Sequence, residues 1–381
     1  MNKKESNQKT PRRNGLIEIM RFLVSLMIIG YHCRKAKKLP WKNQSCFLNS
    51  FIGVEFFFIV SGYLMGKSIE RAKTSEINVF KDTLIFIWRK VKSLLIIHFL
   101  ANIIALVIII SVHDYVILKK RILNGLPGLF LVQMIDVWDN ETNEWIEAEW
   151  YISSMLISMF FIYLICISSD KKFKWYIGII FSMVFFAVIT LIYGLIRKWR
   201  FTYNYTQNIR AYCEIVIGII GYQFIKAKLN PKIEISNITY YIISFLEIFG
   251  YIVFFVFMHI SLNGIKYTIL YGLTTIFLII SIFLSFSQKG NKLIHRLCCN
   301  EVVYYLGILS LPIYLFHTSF VNLYSYKISN FPLALCVFII FLSSIVFSII
   351  YQTIYDKLNE KKEPQTSESK VEIQKKENIN A

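Results

Sequence analysis

Arg21 and His32 stand inside an apolar stretch, residues 17–31 and their flanks, that is long enough to cross a bilayer. Eleven residues separate them, about three helical turns or roughly 16 Å of rise, so both fall on one face of a helix with Ser25 between. A cation in hydrocarbon costs on the order of 3 kcal/mol, so such a residue faces a protein interior or a wet cavity, or snorkels to an interface. A neutral histidine near pH 7 takes a proton from a hydroxyl, or carries a transferred group as a nucleophile. A paired cation on the same face suits phosphate or carboxylate.

Other segments offer matching groups. GVEFFFIVSGYLMG, residues 53–66, places the ionisable Glu55 two turns before Gly62, with Ser61 beside the glycine. Gly62 permits close helix approach, and Glu55 suits the neutralisation of Arg21 or another buried cation better than a role as a base. WRKVKSLLIIH, residues 88–98, sets Arg89, Lys90 and Lys92 at one end of a span. They make an ordinary basic collar or a mouth for a phosphate-rich donor. His98 lies further in, as a hydrogen-bonding core residue. YYLGILSLPIYLFHTSF, residues 304–320, carries Pro312, whose missing N–H frees backbone groups, and His317, expected at the depth of His32. Arg210, at the outer end of another span, is expected near that level.

These residues need spanning helices to hold them, and the composition supplies them. The chain has 381 residues, 55% of them hydrophobic, and a mean hydropathy of +0.51. The reading is an all-α integral membrane protein of about ten spans: roughly 16–34, 48–66, 93–112, 150–167, 175–196, 210–226, 238–259, 267–286, 302–323 and 332–355. Residues 1–14 form a basic disordered arm, 15–355 one transmembrane domain, and 356–381 a charged disordered tail. The seven cysteines show no metal-ligand spacing, so no metal is expected. The formal charge of +18 sits in the arm, loops and tail, which suits anionic lipid and orientation, not nucleic acid.

Residues 123–138 are short, apolar and broken by Gly125, Pro127 and Gly128. If they do not cross, the basic loops and both termini fall on the cytoplasmic side, and Asp139, Glu141, Glu144, Glu147 and Glu149 fall outside. If they cross, the later basic loops move outside. The first arrangement is expected, with 123–138 re-entrant or interfacial. Arg34, Lys35, Lys37, Lys38 and Lys42 then form a basic outer loop beside His32.

The residues together resemble the acyltransferase 3 family of integral-membrane acyltransferases over roughly residues 14–355. Arg21 and His32, the aromatic–Ser–Gly span 53–66 and LGILSLPIYLFH, residues 306–317, carry the resemblance, and WYISSMLISMFFIY, residues 150–163, does so more loosely. Relatives often have proline and tyrosine where Ile96, Ile97 and His98 stand, and a glutamate within the middle span, where residues 154–158 have none and Glu149 precedes Trp150. The resemblance implies His32 and Arg21 as catalytic residues, with Glu55, Ser61, His317 and Arg210 in support and Arg89, Lys90 and Lys92 at the donor mouth. It implies a cytoplasmic acyl-coenzyme A donor, most often acetyl, as a substrate and no permanently bound cofactor. The implied acceptor is a hydroxyl on a surface polysaccharide or lipid-linked sugar of a bacterial inner membrane. Two other classes compete. A precursor flippase predicts internal repeats, which the sequence does not show, and a non-catalytic scaffold predicts polar residues that share no cavity.

The charge pattern predicts that Asn143→Cys reacts with a membrane-impermeant thiol reagent in intact cells. Labelling only after the inner face is exposed would mean that 123–138 crosses.

Overall fold

A computed structural model describes residues 14–35, 46–71, 78–112, 115–135, 145–167, 203–229, 234–261, 264–327 and 333–360. Among the described residues eleven α-helices run in chain order: α1 Gly15–Lys35, α2 Gly53–Arg71, α3 Val79–Val112, α4 Tyr115–Leu129, α5 Trp150–Ile167 and α6 Tyr203–Lys228. Then come α7 Asn237–Phe257, α8 Gly264–Ser287, α9 Lys292–Cys298, α10 Glu301–Lys327 and α11 Leu333–Glu360. Short 3₁₀ turns lie at Ser50–Ile52, Gln133–Ile135 and Glu147–Glu149. No strand occurs among the described residues. The protein is an all-α membrane protein.

Eight of these helices are long and apolar enough to cross a membrane: α1, α2, α3, α5, α7, α8, α10 and α11. The expected span 210–226 is α6, whose 26 residues suffice in length but include Arg210 and Glu214. The expected span 175–196 lies outside the described residues, as do the arm 1–13, the outer-loop residues 36–45 and the tail from 361. Several boundaries move: α2 runs to Arg71 against an expected end at 66, and α6 begins at Tyr203 against an expected 210. α3 begins at Val79, so Lys81, Arg89, Lys90 and Lys92 are helical and do not belong to a loop; its 34 residues extend about 51 Å. α11 continues to Glu360, five residues past the expected end of the last span.

Polar residues start the helices. Asn14, Asn78, Ser236, Asn291 and Asn300 each accept a backbone N–H at a helix start: from Ile17 at 3.2 Å, Lys81 at 3.1 Å, Thr239 at 3.2 Å, Ile294 at 3.1 Å and Val303 at 3.0 Å. These bonds occupy orphan donors of the first turn. Beside Pro312 in α10, Ser25 of α1 donates to Ser310 O at 3.1 Å, and Ser310 Oγ donates to Gly307 O at 2.7 Å.

Tertiary contacts fix helix direction. Glu18 of α1 lies against Gly307 of α10, where an added Cβ would strike its carboxylate, and His32 lies against His317, so α1 and α10 run parallel. α6 runs parallel to α2: Arg210 meets Glu55, Ile215 meets Gly62, and Tyr222 meets Gly66. α3 starts at the Arg21 end, and α5 descends beside it, with Tyr163 stacked on Phe86 at 4.1 Å. α5 thus ends near the Arg21 level while α6 begins at the His32 end; residues 168–202, outside the described set, connect them.

α4 does not cross. Its 15 residues give about 22 Å against a core of roughly 30 Å. Leu131, at φ 57°, turns the chain after it. Trp145 then packs on Gly125 and donates from Nε1 to Arg121 O at 3.1 Å. Over its described part, residues 123–135, the expected short segment is a helix too short to span that ends against the bundle at His98.

The α2–α6 seam is a backbone contact. A Cβ at Gly62 would lie 2.1 Å from Ile215 O, and one at Gly218 would lie 2.1 Å from Ile59 O. Gly62→Ala is therefore expected to lower thermal stability in detergent, by roughly 1–3 kcal/mol of overpacking. Gly128→Ala, whose Cβ would meet only Glu149 Oε2 at 3.5 Å, leaves it nearly unchanged. Equal melting temperatures for the two variants would contradict the seam.

Candidate functional site

α1 carries one polar group at each end of the site. At the lower end, Arg21 Nη1 donates to Glu18 Oε2 at 3.1 Å, one turn earlier on the same helix. The Arg21 side chain stays 27% exposed. It lines a cavity of about 200 Å³ with Lys90 of α3, Ser61 and Phe57 of α2, Tyr151 of α5 and Tyr314 of α10. Ser61 Oγ lies 3.5 Å from Tyr151 OH. Two cations, hydroxyls and aromatic rings thus line one cavity.

Two of the expected donor-mouth cations are placed otherwise. Arg89 and Lys92 are exposed on α3 and do not line this cavity, whereas Lys90 does. The helical period explains this, because neighbours on α3 point about 100° apart.

At the upper end, the rings of His32 and His317 meet edge-on with centroids 4.9 Å apart. The expected common depth of the two histidines is a direct contact. His317 is fully buried, and its Nδ1 lies 2.6 Å from Tyr314 O. A carbonyl only accepts, so Nδ1 carries the proton and the neutral ring keeps its lone pair on Nε2. Nε2 has no hydrogen-bond partner among the described residues. His32 Nδ1 lies 3.8 Å from Glu147 Oε2. The histidines do not line the Arg21 cavity. Tyr314 stands between the two: its ring lines the cavity, lies 5.7 Å from that of Tyr151 and 5.7 Å from that of His317.

Of the two expected partners for Glu55, Arg21 or another buried cation, the structure takes the second. Glu55 is taken by Arg210 Nη2 and by Tyr271 OH. Arg210, expected at the histidine level, also reaches Glu214 Oε1 at 3.3 Å and Gln207 Oε1 at 3.2 Å. Glu55, Arg210 and Glu214 are all buried. This cluster spans α2, α6 and α8 and serves to neutralise charge.

Two groups escape a reading of the sequence. Glu147 is one of five carboxylates in a short acidic run, with nothing to mark it as the partner of His32. Glu149 is buried, with Oε1 at 2.8 Å from His98 Nδ1 and 2.7 Å from Asn102 Nδ2. Its signal was present: a carboxylate at the edge of an apolar helix, and His98 and Asn102 four residues apart on one face of another.

The chain matches the family model described as an acyltransferase domain over residues 14–353. It belongs to the acyltransferase 3 family. No curated protein and no solved structure matches it. The family makes this protein a membrane acyltransferase.

The charge cluster generates a prediction. Arg210→Met leaves two buried carboxylates without a cation, a change that costs about 3–5 kcal/mol. Folded yield and melting temperature in detergent should drop sharply. A variant as stable as the parent would contradict the neutralising role.

Proposed function

We propose that this acyltransferase moves an acyl group, acetyl in the simplest case, from cytoplasmic acyl-coenzyme A to a hydroxyl of a surface polysaccharide or its lipid-linked precursor. One observation carries the reading. A cavity bearing Arg21 and Lys90 leads to Tyr314, and directly behind Tyr314 lies the His317–His32 pair with Glu147. The basic loops orient the Arg21 end towards the cytoplasm. A cavity of about 200 Å³ is smaller than a pocket for a whole drug-sized ligand, so it suits the acyl-bearing arm, with the nucleotide end outside.

The chemistry then divides along α1. Arg21 and Lys90 bind donor phosphate, where guanidinium geometry favours two parallel contacts. Ser61 and Tyr151 present hydroxyls to the cavity, as donors for the oxyanion formed at the thioester carbonyl. His32 takes the proton of the acceptor hydroxyl as its oxygen attacks that carbonyl. The carbon–sulfur bond breaks, and the coenzyme thiolate leaves and is protonated. Glu147 stabilises the imidazolium that forms. Because Tyr314 separates the cavity from the histidines, transfer requires Tyr314 and Tyr151 to part as substrates bind. An acyl group held briefly on His32 would use the same residues.

Purified protein in nanodiscs, given labelled acetyl-coenzyme A and acceptor glycan, tests this. His32→Ala should cut transfer by about 10²–10⁴ at normal abundance. Arg21→Lys should raise KM for the donor roughly tenfold. Near-normal transfer by His32→Ala would defeat the role of His32. Full activity of Arg21→Met combined with Glu18→Gln would defeat the donor role of Arg21, because that pair would then be structural only.

A further inference from the structure

The turn Glu147–Glu149 points three consecutive residues at three different helices. At three residues per turn, successive 3₁₀ positions project about 120° apart. Glu147 places Oε2 3.8 Å from His32 Nδ1 of α1. The carbonyl of Ala148 accepts from Tyr314 OH of α10 at 3.0 Å. Glu149 turns inward to His98 and Asn102 of α3. The turn thus touches the histidine and the tyrosine wall at once, and its third residue is held by side-chain hydrogen bonds to α3.

That anchor bonds both ring nitrogens of His98 and Glu149 Oε1, while Asn102 Oδ1 is buried with no partner among the described residues. His98 Nε2 lies 3.1 Å from Leu129 O, an orphan carbonyl at the end of α4. A carbonyl cannot donate, so Nε2 carries a proton, and Nδ1 shares a second one with Glu149 Oε1. Asn102 Nδ2 donates to the same carboxylate oxygen and to His98 O at 3.0 Å. His98 is 1% exposed, Asn102 1% and Glu149 2%. A buried carboxylate lacking one of these partners costs several kcal/mol, so the network has one arrangement and tolerates little displacement.

We propose that His98, Asn102 and Glu149 are positioning residues that act through the 3₁₀ turn, holding Glu147 against His32 and the Ala148 carbonyl on Tyr314. None of the three touches the cavity or the histidine pair. Their effect reaches the reaction as the register of residues 147–148. The catalytic consequence rests on the role proposed for His32; the positional consequence does not.

Two readouts separate these. The first needs no activity. In a chain whose seven native cysteines are replaced, Glu147→Cys and His32→Cys should join readily with a short thiol crosslinker, and Glu149→Gln or the milder Asn102→Ala should lower that yield several-fold. The second uses transfer kinetics. Glu149→Gln should cut kcat by up to about a hundredfold, the scale of a misplacement near 1 Å, with little change in donor KM. Glu147→Gln should do likewise, and the double variant should be no worse than the worse single one, because both act on one contact. Unchanged crosslinking in Asn102→Ala and Glu149→Gln would overturn the proposal, as would additive losses in the double variant. Reduced crosslinking in a protein without acyl transfer would support the positioning role while defeating the proposed function.

Discussion

Charge inside a lipid-facing bundle has to be matched by charge, by hydrogen bonds or by water, and this constraint organises the molecule. Glu55 and Glu214 gather on Arg210. Glu149 meets His98 and Asn102. Glu247 accepts from Asn291 N at 3.0 Å and lies 2.9 Å from His295 Nε2. Each of these sets ties two or more helices and fixes their rotation. Arg21 is the contrasting case. Its Glu18 partner lies on its own helix, so the pair fastens no other element by its charges, and the guanidinium keeps a path to the cavity.

That difference sorts the ionisable residues by use. Groups that join helices set the frame, and the proposed chemistry falls to groups that do not join helices by charge. His317 keeps a buried ring nitrogen with no partner among the described residues, and His32 packs edge-on against its ring. Tyr314 then has a double role: its ring closes the cavity, and its hydroxyl is held by the Ala148 carbonyl. The same turn that steadies this wall presents Glu147 to His32. A single short turn therefore couples the two halves of the site.

Much of this was legible in the sequence, and the remainder was hidden for a definite reason. Apolar run length gave the helices, the charge count gave the non-crossing segment, and Gly62 gave the close seam with α6. Helical spacing gave the depth of Arg21, His32 and His317. Depth is one coordinate only. Which helices neighbour one another is set by packing among residues far apart in the chain, so the sequence leaves Glu55 a choice between Arg21 and another buried cation, and its partner Arg210 stands 155 positions away. The start of α3 was missed because basic residues read as loop, although they ride on a helix longer than the membrane core. Glu147 carried no mark that set it apart from its acidic neighbours.

The central claim is that donor and acceptor chemistry meet at Tyr314 from opposite ends of α1. A cryo-electron-microscopy structure in nanodiscs with a non-transferable acyl-coenzyme A analogue tests it most directly. The account predicts phosphate density beside Arg21 and Lys90, and the acyl arm running between Ser61 and Tyr151 to Tyr314. An analogue bound at the His32 end, or away from Arg21 altogether, would contradict it.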